Sequence, residues 1–469
     1  MARVRLVQGG FEMPYLNDLV EDLGELGVIF DRRRIVAATD DLGRIVLVRP
    51  DAVNVDEGDD PDAFERALKE LERGERPDLA RALRETEVRV GGLRQIAVEP
   101  CRRTDDGGWS VATIDREVEA LRAAGLEASG NVVVLGSQTV RASALGPVHF
   151  AGSMMFTSEY IGTPPDVTLA TTSAPAPEPP YLADRLDLRG HERPRVLVLD
   201  TGIRTVSPTD LTLENPALQE SVKLDPATFI ALPPPAIDDE DEIDDDEVFS
   251  AGHERLDFEA GHGTFVAGII RQVCPDADIY IGGVLSSFGD GDVLGLLARL
   301  ETALDNHKEP FDFVVMALGA YMEAGDVGLL ERALRRLIPR RTLVVSAAGN
   351  QASSRPYYPA ALDDVIGVGA LGEDGRAWFS NFGGWVDACA PGIDVVSTFF
   401  MDWDEKSDQG VAHYRGWARW SGTSFSAPKV VGVLAQEMYL TQCSARTAWT
   451  RLSDYRLLRV PDLGTVFNV

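Results

Sequence analysis

Three short motifs in this chain place reactive side chains at the ends of predicted strands and helices. A strand-like run, Arg195–Leu199, leads into Asp200-Thr201-Gly202. A Gly-rich turn, Gly261-His262-Gly263-Thr264, opens a run with helical periodicity. Gly422-Thr423-Ser424-Phe425-Ser426-Ala427-Pro428 opens another, continued by VVGVLAQEM. A carboxylate, an imidazole and a hydroxyl are what nucleophilic acyl transfer requires. Serine is a weak nucleophile at neutral pH until a base takes its proton. Histidine titrates in the range that suits that task. A carboxylate behind it fixes the imidazole tautomer and stabilises the imidazolium that forms. A fourth run, Thr342–Ser346, leads into Ala347-Ala348-Gly349-Asn350. There the Asn350 amide, with the Ser424 backbone N–H, would supply donors for an oxyanion.

Each residue alone has a plainer reading: Asp200 as a turn residue after a strand, His262 as a helix-start histidine, Ser424 as an N-cap. D-T-G also occurs in aspartic proteases, but those need two carboxylates sharing a proton, and one D-T-G is present. The joint pattern overrides these readings. His149, His191, His307 and His413 sit in no such setting and are expected to be structural, while His253 is expected to have a surface role. Asp290 and Asp292 read as a helix-cap pair, and Trp403, Trp417 and Trp420 as packing residues.

The elements around the motifs form two regions. From Arg193 onward, short β-rich runs (Arg195–Leu199, Ile279–Val284, Phe313–Leu318, Thr342–Ser346, Val365–Val368) alternate with helical stretches such as Val293–Leu304 and Gly328–Leu337. That alternation predicts a parallel sheet covered on both faces, with ligands beyond the carboxyl ends of its strands. Residues 1–162 mix β and α signals. A hairpin is predicted over Arg34–Ala38 and Arg44–Arg49, helices over Pro61–Gly74 and Ile114–Gly125, and a buried strand over Asn131–Gly136. Between the regions, residues 163–192 include the Pro-rich stretch Thr163–Pro180 and read as an extended linker.

The motifs resemble those of the subtilisin-like serine proteases, or subtilases, in the order Asp, His, Ser. The resemblance covers about residues 193–469. It implies a three-layer α/β domain with a mostly parallel sheet behind a smaller α+β N-terminal domain. It also implies a serine endopeptidase with Asp200, His262 and Ser424 as triad and Asn350 as oxyanion donor. Met316-Ala317-Leu318-Gly319 resembles the family strand that pairs with substrate main chain, with Ala317 where Ser is common. Phe288-Gly289-Asp290-Gly291 resembles the opposite cleft edge, which adds Gly289 and Gly291 to the substrate-binding set. Phe379–Gly383, Ala390-Pro391-Gly392 and the closing strand Gly464–Val469 also match family patterns.

This sequence departs from the pattern in places. Asp200 and His262 are separated by an enlarged insertion holding an acidic stretch around 231–250, where nine of ten residues in Asp238–Glu247 are acidic. That run reads as a solvated loop; steering of basic substrates and cation binding are the other readings. Arg271–Asp278 runs straight into the next strand, where many secreted subtilases carry a calcium loop. No cofactor is therefore expected, with calcium at another site as the alternative. Arg355 and Tyr357 sit where the family shapes its primary specificity pocket. The N-terminal domain is expected to bind the cleft as a propeptide would, or to bind a partner protein. The same acyl chemistry would also serve a peptide ligase, macrocyclase or esterase, and the fold alone a non-hydrolytic scaffold.

Composition narrows the partners. The 469 residues carry 45 Lys plus Arg against 75 Asp plus Glu, a formal charge of −30. That charge argues against nucleic acid or an anionic membrane and leaves a peptide or protein substrate. No apolar run is long enough to span a bilayer, and the N-terminus lacks a secretory h-region. Four Cys, with no metal-ligand spacing, suit a reducing compartment. A cytoplasmic location is expected.

Overall fold

The structure is a computed structural model. It describes residues 45–136 and 188–467, apart from short gaps and the stretch 225–258, together with a few short strands outside those ranges. The expected Pro-rich linker, the acidic run Asp238–Glu247, His149, His253 and Cys101 lie outside the described residues, as do the side chains of Trp403 and His413. The chain divides into two compact units. One comprises Met1–Val134, Gly291–Glu301 and Ala320–Ile338; the other comprises Leu135–Asp290, Thr302–Gly319 and Pro339–Val469.

In the second unit the principal strands are β1 (Arg195–Asp200), β2 (Val222–Lys223), β3 (Asp278–Gly283), β4 (Phe313–Met316), β5 (Leu343–Ala347), β6 (Val365–Gly372), β7 (Ala388–Pro391), β8 (Arg459–Val460) and β9 (Gly464–Val466). They form one sheet in the order β2-β3-β1-β4-β5-β6-β7-β9-β8. Every pairing along that path is parallel except β8 with β9. Val196 to Leu199 and Phe313 to Met316 are all fully buried. Burial on both faces is why these runs are continuously apolar and do not alternate. Helices α1 (His262–Val273) and α2 (Thr423–Thr441) pack on each other, and α2 lies against β5, β6 and β7. The predicted α/β class with a mostly parallel sheet is what the structure contains.

β1 lies centrally, with β3 on one side and β4 on the other. The strand order therefore reverses at β1, and the crevice beyond its carboxyl end is the natural ligand position. Asp200 is the last residue of β1.

The first unit contains an antiparallel sheet of Val36–Thr39, Ile45–Asp56, Leu93–Ala97 and the strand Glu127–Gly136 as far as Val134. The predicted hairpin, helix and strand fall on Val36–Thr39 with Ile45–Asp56, Pro61–Arg73 and Glu127–Gly136. Gly74 caps the helix through its N–H to Glu70 O. Helix Ala324–Leu337 starts before the predicted Gly328. Its Arg332 and Arg336 each bond the buried Asp56 carboxylate at 2.8 Å. Burial pushes the Asp56 acid up, but these two guanidiniums outweigh it and hold it below its usual range.

Candidate active site

Asp200 ends β1 fully buried. Its Oδ1 accepts from Thr201 N at 2.7 Å, and its carbonyl accepts from Val284 N at 2.7 Å. His262 is the first residue of α1, also fully buried. Its Nδ1 lies 2.8 Å from Asp200 Oδ1 and 3.0 Å from Oδ2. A neutral imidazole donating from Nδ1 has its lone pair on Nε2, the tautomer a general base needs.

Glycine allows this approach. Gly261, the helix N-cap, has φ +79°, and a Cβ there would fall 2.6 Å from the Phe399 ring. At Gly263 a Cβ would sit 2.0 Å from Gly202 O. The Gly263 N–H donates to Thr201 Oγ1 at 3.1 Å, tying α1 to the Asp200 turn. Gly263→Ala should therefore destabilise the fold by about 3 kcal/mol, through overpacking that neither backbone can relieve. A melting curve checks this, and a change within the noise would refute it.

Ser424 is the second residue of α2, and the cap position is Gly422, so Ser424 is not an N-cap. The Ser424 hydroxyl donates to Ala317 O at 3.4 Å. Gly422 N donates to Gly392 O at 2.8 Å and Ser426 Oγ to Ala390 O at 2.9 Å. The Ala390-Pro391-Gly392 motif thus fixes the start of α2. The Phe425 ring lies 5.3 Å from the His262 ring.

Asn350 follows β5 and is 3% exposed. Its Oδ1 accepts from Thr423 N at 2.9 Å and Thr423 Oγ1 at 2.8 Å, so the amide is oriented by the residue before Ser424. Asn381, from the Phe379–Gly383 motif, braces the same loop. It donates to Ala348 O at 2.8 Å and accepts from Gln351 N and Ser353 N.

Leu318 and Gly319 form a short strand whose antiparallel partners are Gly136 and Leu135. Tyr357 is buried, and its hydroxyl donates to Gly319 O at 2.7 Å, bracing that strand. Gly289, at φ +89°, packs against the Glu259 side chain. Gly291 lies on the strand Asp290–Asp292 and falls in the first unit. The predicted cap pair divides: Asp292 Oδ1 accepts from Gly295 N at 2.9 Å, whereas Asp290 bonds the Ser286 hydroxyl. Trp420 is 3% exposed and meets the His262 ring edge-on at 5.5 Å, a packing role. His191 Nδ1 bonds Tyr439 O at 2.7 Å, and His307 Nδ1 meets Arg195 Nη2 at 3.1 Å; both are structural.

One neighbour escaped the sequence reading. Glu259, 1% exposed, places Oε2 3.5 Å from His262 Nε2, and Nε2 makes no hydrogen bond. The available signal was an acidic residue three positions before the histidine. Burial pushes the His262 imidazole down, but the charges of Asp200 and Glu259 outweigh it and raise its pKa to about 9.

The turn after α1 carries two carboxylates, Asp276 and Asp278. Asp278 Oδ1 is engaged by Arg193 at 2.8 Å and Lys223 at 3.3 Å, and Asp276 lies 3.7 Å from Arg193. Its carboxylates are thus occupied by cations, where a hard metal would need free oxygens. Among the described residues no group of His, Cys, Asp and Glu is arranged to hold a metal.

An Asp–His pair is thus buried at the switch point of the α/β sheet, and a serine lies in the first turn of α2. Residues 192–449 match the model of the subtilase family, Peptidase_S8. The chain belongs to the subtilase family. It is 31% identical to the minor extracellular protease Epr of Bacillus subtilis (strain 168), over 44% of this chain and 30% of that one. It is 32% identical to an intracellular serine protease of Paenibacillus polymyxa, over 39% and 55%. It is 35% identical to subtilisin-like protease 3 of Pseudogymnoascus destructans (strain ATCC MYA-4855 / 20631-21), over 38% and 43%. The matched region spans between about a third and just over half of these relatives.

Proposed function

We propose that this chain is a serine endopeptidase acting through an acyl-enzyme. The observation that carries the reading is the fully buried Asp200–His262 pair at 2.8 Å beside the helix start that bears Ser424. His262 takes the Ser424 proton as Oγ attacks the substrate carbonyl. Asp200 stabilises the imidazolium formed. Asn350 and the Ser424 N–H donate to the oxyanion. The tetrahedral adduct collapses as His262 protonates the leaving amine. Water, deprotonated by the same imidazole, then releases the acid and restores the serine. Substrate main chain pairs with Ala317–Gly319 on one side and Gly289–Gly291 on the other.

Labelling of Ser424 by a fluorophosphonate, with product masses from a peptide, tests this. Products carrying one added water support hydrolysis. Ligated or cyclised products would favour the transferase reading, and absence of labelling the scaffold. Asn350→Ala should lower kcat by about 10²–10³-fold with little change in KM, because its amide serves the transition state. Steady-state kinetics check it, and an unchanged kcat removes Asn350 from the oxyanion site.

A second reading concerns the segment at Leu135 and Gly136, which we infer to hold the place of substrate main chain until displaced. It is favoured by the antiparallel pairing of Gly136 and Leu135 with Leu318 and Gly319, the strand assigned to substrate. A cytoplasmic location is proposed on the unpaired cysteines. Cys274 and Cys389 are buried free thiols, and burial raises each to about 12, so neither is reactive. No described helix is long and apolar enough to cross a membrane. Fractionation of expressing cells tests the location.

A further inference from the structure

His262 opens a helix, and a helix N-terminus disfavours positive charge. Complete burial disfavours it as well. Yet a buried carboxylate stands at each ring nitrogen: Asp200 Oδ1 2.8 Å from Nδ1 and Glu259 Oε2 3.5 Å from Nε2. Nε2 is the atom that must receive the serine proton, and the Ser424 hydroxyl donates instead to Ala317 O. Glu259 is fixed in place from two sides. The His262 N–H donates to Glu259 O at 2.9 Å, closing the turn that carries both residues. Gly289 packs so tightly on the Glu259 side chain that a Cβ there would fall 2.4 Å from Cγ.

We propose that Glu259 is a positioning residue acting on the base: its buried carboxylate, facing Nε2 of His262, favours a proton on that nitrogen in the resting molecule and so competes with Ser424 for the imidazole. The inference rests on the hydrolase reading of the site. An imidazole that faces a carboxylate at both nitrogens is best satisfied as imidazolium, which has no lone pair for the serine proton. Loss of the Nε2 proton to hydroxide leaves a lone pair facing Glu259, which repels it. Nε2 can then accept from Ser424. Among the described residues, the charges bearing on the ring are Asp200 from β1 and Glu259 from the turn before α1. The strand Trp417–Trp420 and helix α2 present neutral rings, Trp420 at 5.5 Å and Phe425 at 5.3 Å. With the imidazole raised to about 9, the competent base is scarce at neutral pH and fills in as pH rises through that value.

The test is the pH profile of kcat/KM for a peptide, from neutral to strongly alkaline, in wild type and Glu259→Gln. The wild-type acid limb is expected near pH 9. In Glu259→Gln it should move down by about one unit or more, raising activity at neutral pH about tenfold. Coincident limbs would overturn the proposal. An NMR titration of the His262 ring in Ser424→Ala and Ser424→Ala/Glu259→Gln reads the same effect without turnover. A lower midpoint in the second supports the proposal, and equal midpoints overturn it even where Glu259→Gln is inactive. A wild type that cleaves no peptide at any pH would defeat the hydrolase reading, and the ring titration would still decide on Glu259.

Discussion

Ser424→Ala is expected to lower kcat for peptide hydrolysis by about 10⁶-fold, the cost of removing a triad nucleophile. The size follows from what remains. Without Oγ no acyl-enzyme forms, and His262 has no attacking group to activate. Only Asn350 and the main-chain donors still favour the tetrahedral geometry. Binding should survive, because the Tyr357 hydroxyl on Gly319 O still braces the strand when the Ser424 bond to Ala317 O is lost. KM, or the affinity for a substrate-like inhibitor, should therefore change little. Folding should survive too, since α2 is anchored by Gly422 N to Gly392 O and Ser426 Oγ to Ala390 O, neither involving Ser424. Kinetics and a melting curve check both parts, and a residual rate within a hundredfold of wild type would mean that another group is the nucleophile. The same variant reports on the N-terminal region through its mass. If wild type shortens on storage and Ser424→Ala stays intact, the chain cuts itself. If both stay intact while wild type cleaves added peptide, occupation of the cleft is not relieved by self-cleavage.

Local sequence was sufficient for residues whose structural setting is written in their immediate neighbours. Asp200 follows four fully buried apolar residues, and that run marks a central strand whose end faces the crevice. Gly261 and Gly263 flank His262 because neither position has room for a Cβ, so the glycines themselves disclosed the close approach. Ser424 announces a helix start through Gly422 and the small residues after it. Glu259 did not announce itself. An acid before a Gly-rich turn reads as solvated, and only the tertiary packing of Gly289 shows its side chain buried against the imidazole. The division of the chain was equally hidden. Residues 291–301 and 320–338 group with residues 1–134, a grouping carried by contacts remote in sequence such as Asp56 with Arg332 and Arg336. The pairing of Leu318 with Gly136 is of the same kind, since short runs of backbone hydrogen bonds leave no periodic trace.

Asp200→Asn should cost about 10⁴-fold in kcat while leaving the site nearly isosteric. An asparagine amide at this position would present an N–H to Nδ1, turning the ring so that its proton sits on Nε2. That tautomer has nothing with which to take the serine proton. In this protein the error is reinforced from the other side. Glu259 Oε2 lies 3.5 Å from Nε2 and would accept the misplaced proton's hydrogen bond once the ring adjusts. The imidazolium of the transition state also loses the carboxylate at Nδ1, and the one that remains lies on the face Ser424 must use. Two consequences separate this account from simple loss of charge. The ring titration midpoint should fall in Asp200→Asn, because one of the two charges that raise it is gone. Asp200→Asn/Glu259→Gln should recover about tenfold over Asp200→Asn alone, since the preference for a proton on Nε2 is then weakened. A double variant no faster than Asp200→Asn alone would mean that Glu259 does not hold the misplaced proton on Nε2. A single Asp200→Asn variant within tenfold of wild type would remove Asp200 from the catalytic set.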